Sequence, residues 1–197
     1  MFFQAMAVPA FIILLVAAVA VLILRDWRLV LAALAVQYIG VFLLAAGVWP
    51  VSLAIIKLVV GWMATAVLGL TQLSHKETVE EHSWPSGWLF RLLASLLVLL
   101  VIISTAPGLV LWMPANVGLA AVQGSLALIG MGMLQLGMTT RPLRVIAGLL
   151  TVLAGFEILF ASVENSILVA GLLASVNLGL ALIGAYLLTP ASEEASQ

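Results

Sequence analysis

Glu157 stands in the stretch AGFEILFASVEN, residues 154 to 165, among apolar side chains that must lie in lipid. A charged carboxyl group costs at least a few kcal/mol in hydrocarbon, so such an acid faces a bundle interior or water, and its chemistry is to take up and release a proton. The competing use is structural, an acid held neutral and hydrogen-bonded against a neighbour. Lys57, in LAIIKLVVGW, is the other ionisable residue inside an apolar run. Helix rise places Glu157 and Lys57 at nearly the same depth, roughly 10 Å from one membrane face. They can therefore pair, and a close lysine and glutamate in low dielectric couple their proton occupancies, which shift when a nearby charge moves. Alternatively, Lys57 snorkels along its four-carbon stem to the headgroups.

Weaker polar positions in apolar segments are Gln37, Gln123, Gln135, Thr151, Ser175 and Asn177. Such groups form interhelical hydrogen bonds worth about 1 kcal/mol each. Asn177 and Gln135 are placed to hold water near Glu157, whereas Glu164 reads as a solvated helix-end charge. His75 and His82, in HKETVEEH, would share a face on a helix, but with no further anchor they read as part of a solvated loop. The chain contains no cysteine, which excludes disulfides and thiolate metal sites. With no nucleotide loop, no nucleophile beside a base and no zinc spacing, neither a catalytic centre nor a metal or cofactor site is expected.

Composition states what must position these residues. The chain has 197 residues, of which 65% are hydrophobic and 8% charged, and its mean hydropathy is +1.31. Those values describe an integral membrane protein and make nucleic acid an unexpected partner. A spanning helix needs about 20 mostly apolar residues, and seven segments qualify: Ala7 to Leu24, Leu29 to Val48, Ser52 to Leu73, Trp88 to Thr105, Asn116 to Met138, Leu143 to Val163 and Ser166 to Leu188. The expected fold is all-α, a polytopic transmembrane bundle. It comprises a three-helix segment over 1–73, a polar loop over 74–87, a four-helix segment over 88–188 and a tail over 189–197. The opening MFFQAMAVPA lacks the basic start of a cleavable signal, so the first segment reads as a retained helix.

Arginine and lysine orient the bundle. Arg25 and Arg28, Lys76 and Arg91, and Arg141 and Arg144 fall in or beside alternate links, and the opposite links have no basic residue. By the positive-inside rule the amino terminus lies outside and the carboxyl terminus in the cytoplasm. Trp27, Trp84 and Trp88 then mark the cytoplasmic interface, and Trp49 and Trp112 the outer one. Small residues indicate the packing: Gly171, Ser175 and Gly179 form a ridge on helix 7, while Gly130 and Gly137 on helix 5, and Gly148 and Gly155 on helix 6, each share a face. Helices 5 to 7 are expected to form one compact unit.

The segment RPLRVIAGLLTVLAGFEILFAS, followed by ASVNLGLALIGAYLL, resembles the three-helix K subunit of complex I and the C subunit of multisubunit cation/proton antiporters. Residues 116–188 carry that likeness, with Gly155, Phe156 and Glu157 at the family's Gly-Leu-Glu. With extra helices in front and a lysine in the third, nearly the whole chain is similar to the hydrogenase-4 component E family of membrane-bound hydrogenases, the strong motif matches being confined to residues 141–188. The resemblance implies an accessory subunit of a complex I-like or hydrogenase-like assembly, beside antiporter-like subunits in a prokaryotic cytoplasmic membrane, with Glu157 on a proton or cation axis. The family's second membrane acid falls on Ser175, leaving Ser175, Asn177 and Lys57 as the other polar stations. Loss of that acid fits an alternative, a structural scaffold of an energy-converting or photosynthetic complex. An independent transporter is disfavoured, since no inverted repeat or broken helix marks a substrate site.

Overall fold

The structure is a computed structural model that describes residues 6–74, 87–115, 117–163 and 166–189. These residues form seven helices: α1 (Ala7–Ile23), α2 (Trp27–Ala45), α3 (Val51–Ser74), α4 (Trp88–Val110), α5 (Leu119–Met138), α6 (Pro142–Ala161) and α7 (Ile167–Leu188). Six of them are long and apolar enough to cross a membrane, which makes the chain a helical membrane bundle. The first, α1, is apolar but has only 17 residues. At 1.5 Å per residue it is about 26 Å long, slightly short of a hydrocarbon core of about 30 Å.

Local chemistry starts and stops the helices where the chain turns. Asp26 precedes α2 and accepts a hydrogen bond from the Arg28 amide at 2.9 Å, an N-cap that satisfies one of the helix's orphan donors. Pro142 occupies the first turn of α6, where its missing N–H costs nothing. Pro107 does not end α4 near Thr105, as its ring would suggest; the helix continues to Val110. Proline is tolerated in apolar helices of this kind because local adjustments satisfy the freed carbonyls.

Packing departs from the expected grouping. Helices α5 and α6 do form the most extensive pair, but α7 rests chiefly on α3 and to a smaller degree on α6, so α5, α6 and α7 do not close on one another as a unit. The other large seams are α1 against α2, α2 against α3, and α5 against both α1 and α4. Helices α2 and α6 are the most buried and α4 the least.

Between apolar helices in lipid, attraction comes from close van der Waals contact more than from solvent exclusion. Glycine decides how close α5 and α6 come. A Cβ on Gly155 would sit 2.6 Å from the Ser125 carbonyl oxygen and 2.8 Å from Leu128 Cβ, and one on Gly132 would sit 2.9 Å from the Gly148 carbonyl oxygen. Gly148 and Gly155 therefore lie in a packed seam. The Gly171, Ser175 and Gly179 ridge instead faces away from the bundle, with nothing within 4 Å of a Cβ built on either glycine. No other helix among the described residues covers it.

One end of the bundle gathers the arginines. Just beyond α1 the carbonyl oxygens of Leu24 and Arg25 accept from Arg144 Nη2 at 2.5 and 3.4 Å, and in its last turn that of Leu22 accepts from Arg91 Nη1 at 3.1 Å. Cations at a helix carboxyl end both satisfy orphan acceptors and complement the macrodipole. The basic links thus share one end, as the charge pattern requires. Lys76, His75, His82 and Trp84 lie outside the described residues, as do Asn116 and Glu164. Trp49 is not an exposed belt residue: only 3% exposed, it packs with Ala161 and Ala170 where α6 and α7 meet. Trp112 and Trp88 are exposed.

Candidate functional site: a buried lysine and glutamate

Four helices each contribute one polar side chain to a single cluster. Lys57 is six residues into α3, and Glu157 is four residues from the end of α6, depths of about 9 and 6 Å along their helices at the standard rise. The acid is thus shallower than expected because α6 ends at Ala161 rather than Val163. Lys57 Nζ lies 2.6 Å from Glu157 Oε1, and both residues are 2% exposed. Pairing, not snorkelling, is the arrangement of Lys57.

Asn177 of α7 donates its amide N–H to the same Glu157 Oε1 at 2.7 Å. Its amide oxygen accepts the hydroxyl of Tyr38 of α2 at 3.2 Å. The reverse amide orientation would set a carbonyl oxygen against a carboxylate and leave nothing to accept from the tyrosine, so the network itself assigns Asn177. The chain of donors runs Tyr38 to Asn177 to Glu157, and Lys57 donates to the acid from the other side. Glu157 Oε2 is buried without a hydrogen-bond partner among the described residues. That oxygen is the atom left to accept a proton or a bridging water.

Backbone geometry makes room for the tyrosine. Gly61 of α3 packs directly under the Tyr38 ring, and a Cβ there would fall inside the ring's van der Waals envelope. Gly61 therefore lets α2 and α3 approach until the Tyr38 hydroxyl reaches across to α7. Neither Tyr38 nor Gly61 was singled out by charge or spacing. A signal did exist, since Tyr38 lies in mid-segment, away from the interfacial belts where tyrosine concentrates.

Magnitudes show why the pair resists separation. Two unit charges at this distance attract by about 6 kcal/mol at an effective dielectric near 20. Desolvation costs several kcal/mol per ion, so the pair adds little net stability, yet removing one member leaves an uncompensated buried charge.

A second polar level lies nearly two turns nearer the arginine end, six residues back along α6 from Glu157 to Thr151. Gln37, beside Tyr38 in α2, donates to Thr151 Oγ1 of α6 at 3.3 Å, and Thr151 in turn donates to the Ala147 carbonyl at 2.8 Å. Gln37 Oε1 is buried without a partner among the described residues.

Two residues expected near Glu157 lie elsewhere. Gln135 donates to the Arg144 carbonyl at 2.7 Å and ties α5 to α6 near the arginines. Ser175 is exposed and donates to the Gly171 carbonyl of its own helix at 3.0 Å. Two helical positions from Asn177 is a rotation of about 200°, so Ser175 points away when Asn177 points in. No protein-family model, curated protein or solved structure matches this chain.

Proposed function

We propose that the chain is an accessory membrane subunit of a complex I-like or hydrogenase-like assembly, in which the Lys57 and Glu157 pair forms part of a proton or cation axis. The observation that carries this reading is the 2.6 Å contact between two ionisable groups buried inside an apolar bundle. Intramembrane ions of this kind mark ion pathways more often than they serve stability. A charge change in a neighbouring subunit would alter how Lys57 and Glu157 share protons. Glu157 Oε2 is the exchange atom, and Gln37 with Thr151 forms the next polar station, about 9 Å away along α6 by helix rise.

In this reading the arginine end faces the cytoplasm, the amino terminus lies outside, and all seven helices span a prokaryotic cytoplasmic membrane. The single-sided clustering of arginine supports that orientation. The test uses the assembly purified from native membranes through a tag on this chain, reconstituted in vesicles with an internal pH dye. Glu157→Gln should reduce redox-driven pH change while the set of co-purifying subunits stays the same. Full coupling in the variant, or a chain that purifies alone, would overturn the reading.

A second reading is favoured by the outward ridge of Gly171, Ser175 and Gly179, which offers a flat face to another helix. There the chain is a scaffold of an energy-converting complex and the buried pair is only a lock between α3, α6 and α7. Glu157→Gln would then leave coupling unchanged, whereas Gly179→Leu would strip partners from the assembly.

A further inference from the structure

The arginine end contains a cavity that the buried pair does not use. It measures about 110 Å³ and opens between the α1–α2 link, the end of α3 and the start of α6, with Arg25, Trp27, Gln72, Arg141, Pro142 and Arg144 in its wall. Three arginines thus line one small cavity. Among the described residues of the wall Asp26 is the one carboxylate, so three arginines stand against a single acid there. Arg144 is held in place by the carbonyls of Leu24 and Arg25, which fixes its guanidinium plane at the cavity edge. Arg141 is the residue before the first turn of α6 and gives that helix no side-chain cap.

The geometry points to a binding site for the phosphate headgroup of an anionic phospholipid. Planar, many-donor guanidinium groups match phosphate oxygens, and basic pockets between membrane helices recognise anionic headgroups. The volume is that of three to four waters at about 30 Å³ each, enough for one phosphate group. A lipid is favoured over free phosphate by what surrounds the cavity. Trp27 lines it beneath Arg28, whose guanidinium lies 5.3 Å from the ring centre, and the same helix ends expose Leu29, Leu70 and Leu73. Those leucines supply apolar surface for acyl chains at the same end of the bundle.

The full-length chain in detergent is mixed with either phosphatidylglycerol or phosphatidylcholine of identical acyl chains, and retained lipid is counted by native mass spectrometry. Wild type should retain phosphatidylglycerol roughly tenfold better, since basic residues near an anionic headgroup strengthen its retention. Arg25→Gln with Arg141→Gln should abolish that preference, while Arg28→Gln, outside the cavity wall, should keep it. Arg25→Gln alone, at an exposed residue, should lower the preference severalfold even if the double variant fails to fold. Equal retention of the two lipids by wild type, or an unchanged preference in Arg25→Gln, would overturn the site. Displacement of the lipid by millimolar inorganic phosphate would overturn its assignment to lipid.

Discussion

Lys57→Met keeps the length of the side chain and removes its charge, which isolates the electrostatic role of the lysine. Glu157, 2% exposed, is left with Asn177 as its donor and no counter-charge. The attraction forfeited is about 6 kcal/mol at an effective dielectric near 20, but the full amount does not appear as instability. An ordinary glutamate takes a proton at pH 7 for about 4 kcal/mol, so neutralisation caps the loss at roughly 3 to 4 kcal/mol. Glu157→Gln should cost less, about 1 to 3 kcal/mol, because the stranded lysine begins only about 9 Å from its helix end and can extend toward the headgroups. The double variant should be less damaging than the two single changes added together, with a coupling of at least about 2 kcal/mol. Reversible unfolding of the detergent-solubilised chain by increasing dodecyl sulfate, read by tryptophan fluorescence, measures all four proteins; the chain has 6 tryptophans. Additive single effects, or Lys57→Met within about 0.5 kcal/mol of wild type, would refute the idea that these groups compensate each other in the bundle.

The same unfolding assay tests four further expectations. Tyr38→Phe should cost about 1 kcal/mol by removing the donor to Asn177, and should add nothing in an Asn177→Leu background. Gly61→Ala should destabilise by about 1 to 3 kcal/mol through its clash with the Tyr38 ring, a cost that falls in a Tyr38→Ala background. Gly155→Val should weaken the α5–α6 seam by at least about 2 kcal/mol, whereas Gly179→Ala, in open space, should stabilise the isolated chain by up to about 1 kcal/mol. Arg144→Gln should cost about 1 to 3 kcal/mol by leaving the carbonyls at the end of α1 without their charged donor.

Composition and patterning alone determined that this is a helical membrane bundle, where each apolar segment lies within a few residues, and that the basic links share an end. These are local properties: helix length follows from the apolar run, and the link positions follow from proline, glycine and charge. The two ionisable residues in apolar surroundings were equally legible, because an acid or a lysine there is conspicuous by type alone.

Which helix meets which was decided only by tertiary structure. A stripe of small residues says that a face can be approached closely, not what approaches it; Gly148 and Gly155 meet α5, while Gly171 and Gly179 meet nothing among the described residues. Pairing of Lys57 with Glu157 likewise depended on α3 lying beside α6 and α7, since depth permitted both pairing and snorkelling. Tyr38 joined the cluster only because Gly61 admits its ring. That relation involves two helices and a missing side chain, and no periodicity within a single segment records it.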